Sequence, residues 1–277
     1  DLYDGSLTKR GQGTLVLTGN NTYRGGTTVE EGTLLGFAES FGVTGDEAKA
    51  TANGKVTVNG GIFGVMNSYN DTFTMTGEKT ANAEAGHSVD ITVNKGGSYG
   101  VVAGQDVDVG TLTFKDGAGV TVVATDTDVL KEAYNGKAQT GSVTAEKLEG
   151  ADLVIANPDY AFFTTDIKTE GNKVTATLTR DEDVSVSTYA TSDNGSAIAN
   201  VIGGATDSAI FASMVGGTKD QVRDTLSSLD SDIYLSAQNA SIVNSLSVAR
   251  AVKDQAIGVG EGRRIEMKDG TACLWAT

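Results

Sequence analysis

The string GQGTLVLTGNNTYRGGTTVEEGTL, residues 11–34, holds two short strands joined by a corner. Leu15 and Leu17 alternate with Thr14, Val16 and Thr18, and Val29 and Leu34 flank a glycine turn. Strict alternation of this kind is the signature of a half-buried strand. Asn20-Asn21 and Gly25-Gly26 lie between the strands, and these residue types tolerate the backbone angles of a tight corner. A strand–corner–strand unit cannot bury its apolar face alone, so it must stack on another like it. The stretch therefore predicts a solenoid, with Leu15, Leu17, Val29 and Leu34 as structural residues of its core.

Apolar groups, mostly alternating, recur further along the chain. Taking Leu15, Leu34, Val56, Phe73, Ile91 and Leu112 as markers, the steps are 19, 22, 17, 18 and 21 residues. Turn signals separate them, among them Asn59-Gly60-Gly61, Lys95-Gly96-Gly97 and Lys115-Asp116-Gly117. Composition fits: 36 glycines, one proline and 6% aromatic residues suit many corners and an almost uninterrupted backbone ladder. The fold predicted for residues 1–125 is a right-handed parallel β-helix within an all-β class, its hand taken from the chirality of parallel crossovers.

From Asp126 the pattern breaks. Asp128–Tyr134 and Thr144–Leu148 read as helical turns. Strands return at Leu153–Ala156, Ala161–Thr165, Lys173–Thr179 and Val184–Thr188. Val174, Ala176 and Leu178 alternate with polar residues, the mark of an antiparallel hairpin with one dry face, and Val174 and Leu178 are its structural residues. A hairpin here would cap the open edge of the stack, over about 126–190. After Asn194-Gly195 the pattern turns helical. Thr218 and Gln221 have capping-box spacing, with Val222, Leu226, Leu229 and Ile233 at helical intervals. Residues 236–256 carry one apolar stripe, Ile242, Leu246, Ala249 and Val252, on an otherwise polar helix about 31 Å long.

Several functions are disfavoured. A net charge of −15 repels nucleic acid. Cys273 is the single cysteine, so no internal disulfide forms. His87, the single histidine, sits in a loop-like stretch beside Ser88, reads as a solvated loop residue, and assembles no catalytic triad. The pairs Asp106/Asp108 and Asp126/Asp128 and the run Asp181-Glu182-Asp183 lack calcium-loop spacing. No catalytic residue, cofactor or metal ligand is assigned, and the segment is read as not an enzyme. With no signal peptide and a start in mid-pattern, it is read as a segment of a longer polypeptide.

The pattern G-x-L-x-L-T-G-x-N-T-Y-x-G-G-T-x-V-x-x-G-T-L resembles the passenger-associated repeat of bacterial autotransporters, at residues 11–36. The tail resembles the same family: 191–256 its helical linker, and 257–277, with Trp275-Ala276, the start of its translocator barrel. The family pattern is usually V-W-A-R, whereas Leu274 and Thr277 stand at its ends here. The resemblance, nearest to the subtilisin-like serine-protease group, implies an autochaperone-like cap at 126–190 and display at the surface of a Gram-negative outer membrane. It implies two partners, an upstream passenger domain that would hold any protease and the chain's own C-terminal outer-membrane β-barrel. Processing at Asn239 or Asn244 is the corresponding expectation, although the family's double-asparagine motif is not matched. The function so implied is support of export and display. An adhesin that binds host glycan, host protein or another copy of itself is the alternative.

Overall fold

The computed structural model describes residues 5–43, 53–71, 77–81, 87–150, 154–155 and 160–230. The chain winds as a β-helix-like stack in which each rung gives one strand to each of two sheets. The first rung is β1 (Leu7–Lys9) with β2 (Thr14–Leu17), the second β3 (Thr27–Val29) with β4 (Thr33–Gly36). The third is β5 (Asn53–Val58) with β6 (Gly61–Val65), followed by an antiparallel pair, β7 (Ser68–Asp71) and β8 (Gly77–Thr80). The fourth is β9 (Ser88–Val93) with β10 (Gly97–Val102), the fifth β11 (Asp106–Phe114) with β12 (Gly119–Val123). Helix α1 (Thr127–Tyr134) then precedes β13 (Gln139–Glu149) and β14 (Val154–Ile155).

Register gives the stack its core. In one sheet Leu15, Leu34, Phe63, Tyr99 and Val120 pair in succession. In the other, Val29, Val58, Val93 and Phe114 do the same. Parallel pairing puts like positions above one another, so one inward residue per strand builds a continuous dry column. Leu34, Phe63, Tyr99 and Val120 are fully buried, whereas Leu15, on the edge strand β2, remains 36% exposed. Leu17 is half-buried. The apolar markers of the sequence pass between sheets: Leu15 and Leu34 belong to one column, Val56, Ile91 and Leu112 to the other sheet.

Parallel pairing continues past residue 125, because β13 lies parallel to β11 with Val107 opposite Val143. It ends at a hairpin, β15 (Phe163–Glu170) and β16 (Lys173–Arg180), where β16 runs antiparallel to β13. Two sequence readings are corrected here. Thr144–Leu148 is strand, since pairing with β11 overrides the local helix preference of Ala145, Glu146, Lys147 and Leu148. Val184–Thr188 is not a strand: Val186–Tyr189 forms a 3₁₀ turn fixed by a capping box between Ser185 and Thr188.

Helices α2 (Asp193–Gly204), α3 (Ala209–Met214) and α4 (219–230) follow. Thr218 and Gln221 form the capping box expected of α4, through bonds of 2.9 and 3.3 Å. Ala199, Ile202, Phe211, Met214, Val215, Val222 and Leu226 are buried in the same core as the rungs. This part of the 191–256 stretch is thus packed on the β body. Residues 236–256, the start of a barrel at 257–277, and Asn239 and Asn244 lie outside the described residues.

Candidate functional site: the capped end of the stack

Strand β16 is where the parallel stack changes direction. Its inward residues Val174, Ala176 and Leu178 are all buried, Leu178 completely. They lie opposite Val143, Gly141 and Gln139 on β13 and opposite Thr169, Ile167 and Thr165 on β15. The hairpin therefore extends the buried face of the last rung by one strand and ends in polar, exposed β15 positions. That alternation is how a sheet edge is closed to further pairing.

An aromatic chain ties the hairpin to the helices. Tyr134 at the end of α1 meets Phe162 and Phe211 edge-on, with ring centroids 5.6 and 4.8 Å away. Phe162 in turn meets Tyr189 at 5.8 Å, and the Tyr189 hydroxyl donates to the Ala161 carbonyl at 2.5 Å. Edge-to-face pairs add about 0.5–1.5 kcal/mol each beyond burial. The Arg180 guanidinium lies 4.2 Å from the Tyr134 ring centroid, a cation–π contact. The backbone joins in: Ala161 donates to the Gly217 carbonyl at 3.0 Å, just before α4.

Asp230, the last described residue of α4, is also fastened. Ser192 and Asn194, at the start of α2, donate to the Asp230 carboxylate at 2.7 and 2.6 Å. Those bonds hold the Asp230 pKa below the usual aspartate value. Glu149, at the end of β13, is held low by Lys147 and by the Thr113 hydroxyl.

The six structural positions thus divide. Val29 and Leu34 lie in the rung core, Val174 and Leu178 in the hairpin, and Leu15 and Leu17 on the edge strand at the opposite end. Sequence reasoning missed Tyr134, Arg180 and Phe211, which alternate with nothing and meet only through the fold. His87 sits in an irregular segment, half-buried, and lines a cavity. Among the described residues no group of three or more His, Cys, Asp or Glu side chains could hold a metal ion. Within the same residues no helix is long and apolar enough to cross a membrane.

Residues 7–35 match the family profile of the passenger-associated-transport repeat. The chain is 28% identical over 216 residues to an extracellular serine protease of Serratia marcescens. That alignment covers 72% of this chain but 19% of the relative, so the chain spans about a fifth of that protein's length. No solved structure matches. Repeat and relative together support a passenger-domain segment of an autotransporter.

Proposed function

We propose that this passenger segment is a folding and display module: its capped end forms first and serves as the template on which the rungs stack, supporting export of an upstream effector. The observation that carries this reading is the antiparallel hairpin β15–β16, joined to the parallel sheet through Leu178, Val174 and Val143. A finished hairpin made by local contacts offers the free edge on which β13, β11 and earlier strands can add, each burying its inward residue at about 25 cal/mol per Å². The aromatic chain from Tyr134 to Phe211 supports a preformed end, because it rigidifies α1, the hairpin and the helices as one unit.

In this reading the stack is a right-handed β-helix with an autochaperone-like cap. The upstream domain carries any catalytic function, and the partner on the other side is the chain's own outer-membrane β-barrel. Surface display on a Gram-negative cell follows. Refolding kinetics test the template. Leu178→Ala should slow folding of the whole chain several-fold, whereas Val29→Ala, in a late-added rung, should chiefly accelerate unfolding. Equal partition of the two effects between folding and unfolding rates would overturn the order of assembly.

A further inference from the structure

Helix α2 turns one face to the core and leaves the other bare. Gly195, Ala199 and Ile202 are buried, whereas Ala197, Val201 and Gly204 follow at i, i+4 and i+7 on the opposite face, exposed. Val201 is 72% exposed. Ile210, at the start of α3 beyond the connection 205–208, is 44% exposed. With Leu15 on the edge strand β2, these two are the exposed large apolar side chains among the described residues. Single exposed apolar residues are ordinary, but a helical seam continued onto the next helix is a surface for packing. Ala197 and Gly204 flank Val201 with almost no bulk, so a second helix can approach α2 closely there.

The chain carries a complement to this seam. Asp230 is held by Ser192 and Asn194, so the chain continues from beside the start of α2. The striped segment 236–256 begins five residues later, and residues 231–235 reach at most about 18 Å. Ile242, Leu246 and Ala249 repeat the i, i+4, i+7 spacing of Ala197, Val201 and Gly204, and Val252 extends it. We propose that residues 236–256 dock as a helix along the bare face of α2, running in the same direction. Ile242 then lies over Ala197, Leu246 over Val201 and Ala249 over Gly204, with Val252 toward Ile210. In this register Ser236 is level with the start of α2, where Asp230 is anchored. Charge agrees with the direction. Arg250 and Lys253 come to the end of α2, whose last turn has no basic residue and which is followed by the exposed Asp207. This docking is independent of the order of folding proposed above.

Amide exchange on the full 277-residue chain, read by mass spectrometry, tests the assignment. Residues 236–256 should exchange at least about tenfold more slowly than a synthetic peptide of the same sequence, because an isolated helix gains most of its stability from packing. Val201→Asp should return them to the peptide's rate while β5 and β9 keep their protection, and Leu246→Asp should do the same from the other side. Val201 is exposed, so its variant keeps the fold, which circular dichroism verifies. Arg250→Glu should speed exchange over 236–256 roughly threefold, and adding Asp207→Lys should restore the parent rate. Sedimentation should show a monomer throughout. Peptide-like exchange in the parent, protection that Val201→Asp leaves intact, or no recovery in the double variant overturns the docking. A dimer that Val201→Asp dissolves assigns the face to a second copy and overturns it as well.

Discussion

Arg180 grips Tyr134 twice: its guanidinium carbon sits 4.2 Å from the ring centroid, and its Nη1 donates to the Tyr134 carbonyl at 2.8 Å. The same side chain holds both the face of an aromatic ring and the carbonyl of the last residue of α1, so hairpin and helix share one anchor. Glu182 approaches Arg180 Nε only to 3.9 Å and adds little.

Arg180→Ala should therefore lower stability by about 2 kcal/mol, from the lost cation–π contact and the orphaned carbonyl. Arg180→Lys should recover less than half of it, because a lysine ammonium lacks the planar fork that serves ring and carbonyl together. Urea midpoints of the three proteins check this. Full recovery by lysine would show that charge alone, not the double contact, is what matters.

The interior column contains one polar interruption. Tyr99 is fully buried between Phe63 and Val120, and its hydroxyl lies beside the Val65 backbone without a hydrogen-bond partner. Burial drives its pKa above the ordinary tyrosine value, which favours the neutral phenol. Tyr99→Phe should leave the fold intact and raise the urea midpoint, by the equivalent of about 1 kcal/mol. A lowered midpoint would mean the hydroxyl is satisfied in solution.

Local pattern reveals what depends on neighbours in sequence. The repeat at 11–34 and the alternation of Val174, Ala176 and Leu178 were legible because each strand reports which of its faces is dry. What was hidden depends on distant partners. Thr144–Leu148 carries helix-favouring residues, yet becomes strand because Thr111 and Leu112 lie ready to pair with it. The docking of α2, α3 and α4 was illegible because their apolar residues read equally well as a narrow linker stripe. The neighbours of His87 were hidden too, since nothing near it in sequence names Glu39 or Asp108 as lining the same cavity.

Corner glycines should differ in cost according to what surrounds them. Gly61 has φ +71°, and an added Cβ would run into the Gly32 carbonyl of the rung before it. Gly136 has φ +92° with open space around it. Gly61→Ala should cost about 3 kcal/mol, strain plus steric displacement, and Gly136→Ala about 1 kcal/mol from backbone strain alone. Thermal melts of both variants check the ordering. Equal shifts in melting temperature would show that rung spacing relaxes freely at this corner.

Acid should loosen the fastening of α4 to α2 before it unfolds the stack. Asp230 is held below its ordinary value of 3.8 first by the Ser192 hydroxyl and then by the Asn194 amide, both of which favour the ionised form. A carboxylate whose folded pKa is depressed binds fewer protons folded than unfolded. Its contribution is complete above the ordinary value and is lost as pH falls through the folded one. Glu30, Glu132 and Glu149 are depressed as well, by Arg10, Lys137 and Lys147, so the whole protein should be less stable in acid. Asp230→Asn separates the one from the rest. At neutral pH the variant should unfold at lower urea than the parent, the gap should narrow below about pH 4, and the two curves should meet once Asp230 is protonated in the folded parent. Amide exchange localises the effect, with protection at the start of α2 lost in the variant at pH 7 while β5 and β9 stay protected. A gap that is constant from pH 7 to pH 2 would mean that the Asp230 contacts act without its charge.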